Sequence, residues 1–222
     1  MTRTTNARIA GFTFLFYIAV GITSLLLSSR AASGGGIAAE LAGIAQHATA
    51  VRVSVLIDLS CCFSALVLGV TLYAITREQD PDLAMLAMAC RVGEGVIAAI
   101  GIPSTLGLIW LATATGADAP DPAAARALGA FLLRGNMALT ATFFAVGSTL
   151  FSYLLLRGRM IPTPLAWLGV AASVLLVVAL PLELAGFLRG PVVSFVWLPM
   201  LAFEVTLALW LLIKGVAMPV RS

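Results

Sequence analysis

The chain has 222 residues, of which 61% are hydrophobic and only 10% are charged. A soluble domain carries about 25% charged residues because its surface faces water, so most of this surface is predicted to face lipid. The net charge of +3 is too small to indicate nucleic acid as a partner. The composition therefore excludes an ordinary soluble domain and predicts an integral membrane protein.

Six apolar segments are long enough to cross a bilayer. A membrane helix needs about 20 mostly apolar residues, at 1.5 Å per residue, to cover about 30 Å of hydrocarbon. The first segment is longer than the apolar run of a signal peptide, so we expect it to be retained. The predicted fold is an all-α, polytopic transmembrane bundle of six helices forming a single domain over residues 1–222. Its spans are residues 9–27, 53–76, 83–112, 128–156, 162–188 and 191–213.

Glycine and proline mark the ends of the predicted helices. Aspartate followed by proline is typical of a helix N-cap and first turn, and it occurs twice. Breaks are predicted at Gly34–Gly36, Asp80–Pro81, Asp121–Pro122, Pro162 and Gly190–Pro191. Three further prolines fall inside predicted helices, where membrane proteins tolerate kinks: Pro103, Pro181 and Pro199.

Basic residues predict that both termini lie in the cytoplasm, since that orientation places more arginine and lysine on the cytoplasmic side. An interfacial aromatic ring followed one turn later by a cation indicates the same orientation. This pair ends helices two, four and six, at Tyr73 and Arg77, Tyr153 and Arg157, and Trp210 and Lys214. The predicted location is the inner (plasma) membrane, with the lipid bilayer as the protein's surroundings.

The longest loop, residues 30–51, separates the first two predicted helices. Ile37, Leu41 and Ile44 repeat at helical spacing, which predicts a short amphipathic helix lying on the membrane. The loop also contains His47, the only histidine of the chain. A lone histidine in a polar loop is predicted to be solvated.

The sequence offers little for catalysis or cofactor binding. Cys61, Cys62 and Cys90 fall inside apolar runs and are predicted to be free thiols that pack in the bundle. The chain has one histidine and no Cys/His pair at the spacing of metal ligands, so no metal site is predicted. It also lacks a glycine-rich loop followed by lysine, so no phosphate-binding loop is predicted. No cofactor and no catalytic residue is predicted. An intramembrane enzyme is the least favoured function, although it stays open.

Ionisable residues inside membrane helices are the most informative, because each costs about 2.5–3.5 kcal/mol at mid-helix. Arg91 and Glu94 are three residues apart and therefore share one face of helix three. They lie roughly 12 and 17 Å from its cytoplasmic end. Glu204 reaches a similar depth in helix six. The three residues are predicted to meet in a buried cluster.

Two acids beside one base leave one carboxylate prone to protonation, since burial and a like charge both favour its neutral form. We therefore expect a non-enzymatic protein that binds or passes a small ligand or a proton at this cluster. The alternative is a structural or accessory membrane subunit, in which the cluster is a buried salt bridge that fixes helix packing. The residues leave both interpretations open.

A second set of polar residues lies in the outer halves of helices two, four and five. These residues are predicted to line an outward-facing vestibule, and the alternative is a set of interfacial side chains that cap hydrogen bonds. The set consists of Asp58, Arg134, Asn136 and Glu183.

Several motifs resemble those of one known family. They include Arg8-Ile9-Ala10-Gly11 near the start, Arg91-Val92-Gly93-Glu94 in helix three, and Glu204 followed by Trp210-Leu211 and Lys214-Gly215. The chain resembles, over nearly its whole length, a family of bacterial integral-membrane proteins catalogued as domain of unknown function 4386. The resemblance implies six helices, a retained first helix and one domain. It implies no activity, substrate or catalytic residue.

Overall fold

The computed structural model describes residues 1–31, 35–116, 119–133, 135 and 137–218. These described residues form helices and no strand, which confirms the predicted all-α class. In chain order the helices are α1 (Arg3–Ala31), α2 (Ile37–Gln46), α3 (Ala48–Thr76), α4 (Pro81–Thr113), α5 (Pro122–Leu132), α6 (Met137–Arg157), α7 (Thr163–Leu184), α8 (Pro191–Phe195) and α9 (Leu198–Ile213).

Within the described part of the chain, six helical stretches are long and apolar enough to cross a membrane, as the sequence predicts. Four of them are α1, α3, α4 and α7. The other two are Pro122–Arg157, which contains α5 and α6, and Pro191–Ile213, which contains α8 and α9. A helix of 29 residues, such as α1 or α3, is about 44 Å long and exceeds the hydrocarbon thickness of about 30 Å. The protein is therefore a multi-pass membrane protein.

The sixth predicted helix is divided into α8 and α9. Pro199 was expected inside a continuous helix, but it lies in the first turn of α9, after a break at Val196 and Trp197. A proline in the first turn removes no helical hydrogen bond, because the N–H it lacks would have no partner there. The continuous apolar pattern of the sequence concealed this break. Pro103 and Pro181 do lie inside helices, as predicted.

Helix α7 ends at Leu184 rather than at Leu188. The chain turns at Gly186, whose φ of +79° is in the left-handed region that favours glycine. The N–H groups of Gly186 and Phe187 donate to the carbonyls of Glu183 and Leu182, so the last turn is closed by backbone hydrogen bonds.

The start of α5 is determined by Asp121. Its carboxylate accepts hydrogen bonds from the backbone N–H groups of Ala124 (3.0 Å) and Ala123 (2.8 Å), and Pro122 occupies the first turn. The hydrogen bonds from Ala124 and Ala123 favour the charged form and hold the pKa of Asp121 below its usual value. The predicted N-cap is therefore present, and the helix starts at Pro122, before the predicted apolar span that begins at Leu128.

The chain divides into two compact units, the first made of Met1–Tyr17, Phe63–Val96 and Met137–Ser222. In this unit α6 packs along α7, and α7 contacts α9. At Gly11 of α1 an added Cβ would lie 2.6 Å from the carbonyl oxygen of Ala208 in α9. Glycine therefore permits a close approach of these two helices, as small residues commonly do in membranes.

The second unit consists of Ile18–Cys62 and Ile97–Asn136. Here α2 packs against α5, where an added Cβ on Gly129 would lie 3.2 Å from side-chain atoms of Ile37 and Leu41. The predicted short helix is confirmed as α2, with Leu41 and Ile44 buried. His47 ends that helix and is exposed. That residues 1–222 form a single domain stays a prediction.

Candidate functional site

Arg91 is completely buried in the first unit. It lies roughly 15 Å along α4 from Pro81, at 1.5 Å per residue. Its guanidinium carbon is 4.7 Å from the ring centroid of Phe144 in α6 and 5.7 Å from that of Phe14 in α1. Both distances are within the range of cation–π attraction, so two aromatic rings help to hold a charge that is shielded from bulk solvent.

Glu94 is the principal partner of Arg91. The Nη1 atom of Arg91 donates to Oε2 of Glu94 at 2.7 Å, across one turn of α4. The hydroxyl of Tyr17 in α1 donates to the other carboxylate oxygen, also at 2.7 Å. Both oxygens of Glu94 therefore accept a short hydrogen bond, and one of these bonds is charge-assisted.

Glu204 approaches the same guanidinium from α9. Its Oε1 atom lies 3.8 Å from Nη2 of Arg91, which is an ion-pair contact but too long for a hydrogen bond. Two buried atoms of this pair have no hydrogen-bond partner within the described part of the chain: Oε1 of Glu204 and Nε of Arg91. The structure thus brings together the three residues that the sequence predicts to meet.

The Arg91–Glu94–Glu204 cluster borders a small cavity. The space open to the centre of a water molecule is about 10 Å³. Arg91 and Glu204 line it together with Ser148 and Ser152, which lie one turn apart on α6, and the remaining walls are apolar. Those walls come from Phe14, Leu72, Phe151, Leu155, Phe203 and Leu207.

Two glycines make room for the Arg91 side chain. An added Cβ on Gly69 of α3 would lie 3.1 Å from Cβ of Arg91. One on Gly147 of α6 would lie 3.2 Å from Cβ of Cys90 and 3.6 Å from Cγ of Arg91. The distances of 3.1 and 3.2 Å are shorter than ordinary van der Waals contacts, and 3.6 Å is an ordinary one. Larger residues at Gly69 or Gly147 would therefore push against the segment that carries Arg91.

A family model described as Domain of unknown function (DUF4386) matches residues 9–215. The chain belongs to the DUF4386 family. The matched residues include all three members of the Arg91–Glu94–Glu204 cluster. No curated protein and no solved structure matches the chain.

The structure describes two residues of the second predicted polar set of this DUF4386 protein, Asp58 and Glu183. Asp58 belongs to the second unit, where the hydroxyl of Ser24 donates to its carboxylate at 2.5 Å. Glu183 belongs to the first unit, in the last turn of α7, and is partly exposed. Arg134 and Asn136 lie outside the described residues. The vestibule therefore stays a prediction.

Sequence reasoning missed Tyr17, Ser148 and Ser152. The signals were present but weak. Tyr17 lies in the middle of the first apolar run, away from the interfaces where membrane tyrosines usually lie. Ser148 and Ser152 are four residues apart, so they share one face of a helix whose neighbouring positions are mostly apolar.

Proposed function

We propose that this DUF4386 protein binds a proton at Glu204 and passes protons through the interior of its first unit. The observation that carries the proposal is the uneven pairing of one arginine with two buried acids. Glu94 takes the short hydrogen bond from Arg91, and Glu204 is held at 3.8 Å with one oxygen unpartnered. With Glu94 ionised, the cluster is neutral only when Glu204 carries a proton.

Glu204 is a better proton carrier than Glu94. Both carboxylate oxygens of Glu94 already accept a short hydrogen bond, one from Arg91 and one from Tyr17. Glu204 is 6% exposed, and its Oε1 atom has no hydrogen-bond partner among the described residues, so this oxygen is open to a proton. The titratable groups that face it are Arg91, Glu94 and Tyr17. The side chains of α6 at the cavity, Ser148 and Ser152, carry no charge.

A proton fits this site better than an organic ligand does. The cavity has space for about one water molecule. Arg91 already donates to Glu94 and lies against the rings of Phe14 and Phe144, so a carboxylate or phosphate ligand would have to compete with these contacts. A ligand larger than water would have to displace these contacts.

Proton passage is measured in proteoliposomes with a trapped pH-sensitive dye and an imposed potassium diffusion potential. Wild-type protein should acidify the interior faster than protein-free liposomes, and Glu204→Gln should return the rate to that background. Glu204→Asp should restore part of the rate, because it keeps a carboxylate at the site. The matched control is Asp82→Asn, an exposed acid in the first turn of α4. A wild-type rate equal to background, or an unchanged Glu204→Gln rate, would overturn the proposal.

A structural or accessory role is the second candidate, and the enclosure of the cluster favours it. Arg91 is 0% and Glu94 2% exposed, and two rings pack on the guanidinium. In this role the cluster fixes the packing of α4 against α1, α6 and α9. Glu204→Gln would then change thermal stability without changing proton flux, whereas the proton-carrier role requires the flux itself to fall.

A separate proposal concerns the membrane and the orientation in which the protein lies. We place it in the plasma membrane with both termini in the cytoplasm, on the basis of its basic loop residues and its three aromatic–basic helix ends. Fusion of a fluorescent reporter or of alkaline phosphatase after Met218 tests this orientation. Fluorescence with no phosphatase activity is expected, and the reverse result would place the C-terminus outside.

A further inference from the structure

Among the residues that the structure describes, the Arg91–Glu204 pair has one buried donor and one buried acceptor without a hydrogen-bond partner. The donor is the Nε–H of Arg91, and the acceptor is Oε1 of Glu204. Arg91 is fully buried and Glu204 is 6% exposed. A buried polar group without a hydrogen bond destabilises the folded state, and a charged group does so more strongly. A ligand in the neighbouring cavity would remove this cost.

The chemistry of the two atoms restricts what that ligand is. It must accept a hydrogen bond from an N–H and donate one to a carboxylate oxygen. A metal cation accepts no hydrogen bond and would lie beside the guanidinium charge. A halide anion donates none, and any inorganic anion would lie beside two carboxylates. Water does both, and it fits a space of about 10 Å³.

We infer that one water molecule is bound in this cavity, between Nε of Arg91 and Oε1 of Glu204. A buried water typically makes about three hydrogen bonds. Ser148 and Ser152 line the same cavity and supply hydroxyl groups for the remaining bonds. The other wall residues are apolar, so the water is confined to the polar side.

This water gives Glu204 a proton donor. A proton that arrives from the aqueous phase bonds to the oxygen of this water as the water releases one of its own protons to Oε1 of Glu204. One O–H bond of the water breaks, one forms in its place, Oε1 gains an O–H bond, and one neutral water remains beside Arg91. Release follows the same path in reverse. The role in proton exchange rests on the proposed function, whereas the water site itself requires only the geometry of Arg91 and Glu204.

The site is tested first by a structure of the full chain in lipid nanodiscs, at a resolution that shows ordered waters. A single peak within hydrogen-bond distance of Nε of Arg91 and Oε1 of Glu204 is expected. In Ser148→Val, which places methyl groups at the cavity wall, the peak should be lost. A direct hydrogen bond from Nε of Arg91 to Glu204 with no peak between them, or an occupant too large for water, would overturn the inference.

Infrared difference spectroscopy across a pH step supplies a second measurement. A carbonyl band of protonated Glu204, absent in Glu204→Gln, should shift to higher frequency in Ser148→Val because the carboxyl group loses a hydrogen bond. The control is Ser173→Ala, since the Ser173 hydroxyl is buried in the same unit but donates to Gly169 within α7. It should leave the band unshifted. If Ser148→Val does not fold, Ser148→Ala, which enlarges the cavity, should retain the peak and still shift the band.

The two measurements separate the water site from the proton-carrier function. A water peak without a titrating Glu204 band supports the site and overturns the proton carrier. A titrating band without the peak, or one that Ser148→Val leaves unshifted, overturns the site and supports proton binding at Glu204.

Discussion

Tyr17 donates a 2.7 Å hydrogen bond to Glu94, which lies 77 positions further along the chain. The bond joins α1 to α4 next to the buried guanidinium of Arg91. A hydrogen bond to a charged group contributes about 1.5–3 kcal/mol to stability. Tyr17→Phe keeps the ring and removes the donor, so we expect it to lower the stability of the detergent-solubilised protein by about that amount. Thermal unfolding measures the change.

Tyr153→Phe is the matched control for this hydroxyl. Tyr153 lies on α6, and its side chain is 43% exposed. Loss of its hydroxyl should change the unfolding temperature much less than Tyr17→Phe does. Equal effects of the two substitutions would contradict a specific role for the bond between Tyr17 and Glu94.

Removal of Arg91 should be among the most damaging single changes to the cluster. Arg91→Met has a similar length and no charge, and it leaves Glu94 and Glu204 without their cation. Removing one partner of a buried ion pair typically costs about 3–5 kcal/mol, because the remaining charge is buried and unpaired. We expect thermal unfolding in mild detergent to show a loss of stability of this size, with the fold retained.

A double-mutant cycle distinguishes pairing from general packing at this position. Arg91→Met combined with Glu94→Gln removes both charges of the 2.7 Å pair. We expect the double variant to be more stable than the sum of the two single losses predicts, since residues in direct contact couple. Strictly additive losses would show that the ion pair contributes nothing of its own.

The cluster could be predicted from the sequence because charge inside a membrane helix is a strong signal. Arg91, Glu94 and Glu204 each lie in an apolar run, and a fixed rise of 1.5 Å per residue places them at similar depths. The six spans follow from the length of the apolar runs in the same way. Both inferences depend only on one-dimensional quantities, hydropathy and distance along a helix.

Other features of the structure depend on contacts between segments, so they could not be predicted from the sequence of any one helix. The hydroxyl of Tyr17 carries no charge, so nothing in the sequence identifies Glu94 as its acceptor. The division of the last span at Val196 and Trp197 is concealed because both residues are as apolar as their neighbours. The pairing of Arg91 with Glu94 rather than Glu204 depends on side-chain geometry, which composition and spacing do not specify.

Gly11 should tolerate no side chain. An added Cβ would lie 2.6 Å from the carbonyl oxygen of Ala208 and 2.9 Å from Cγ of Leu212, so Gly11→Ala must push α1 away from α9. Overpacking of this kind typically costs about 1–3 kcal/mol. We expect a matching fall in the unfolding temperature. Gly21 lies in the same helix, and an added Cβ there would meet no described atom of another segment within 4 Å. Gly21→Ala should therefore cause no loss, because alanine favours helix over glycine.

Asp121 should make the stability of α5 depend on pH. Because the hydrogen bonds from Ala124 and Ala123 lower its pKa in the folded protein, the unfolded segment binds more protons at acidic pH. The stabilisation is therefore complete above the usual aspartate value of 3.8 and is lost as the pH falls through the lowered folded-state value. Asp121→Ala removes the cap at every pH.

Hydrogen exchange of the α5 amides, read by mass spectrometry, measures this effect. At neutral pH the wild-type amides should exchange more slowly than those of Asp121→Ala, because the N-cap is present only in the wild type. Comparison of the two proteins at each pH removes the intrinsic dependence of exchange on acidity. The difference should shrink once the carboxylate is protonated. A difference that stays constant down to the most acidic conditions would show that Asp121 does not act through its charged form. In that case Asp121→Asn, which places a neutral residue that also caps helices, should match the wild type at every pH.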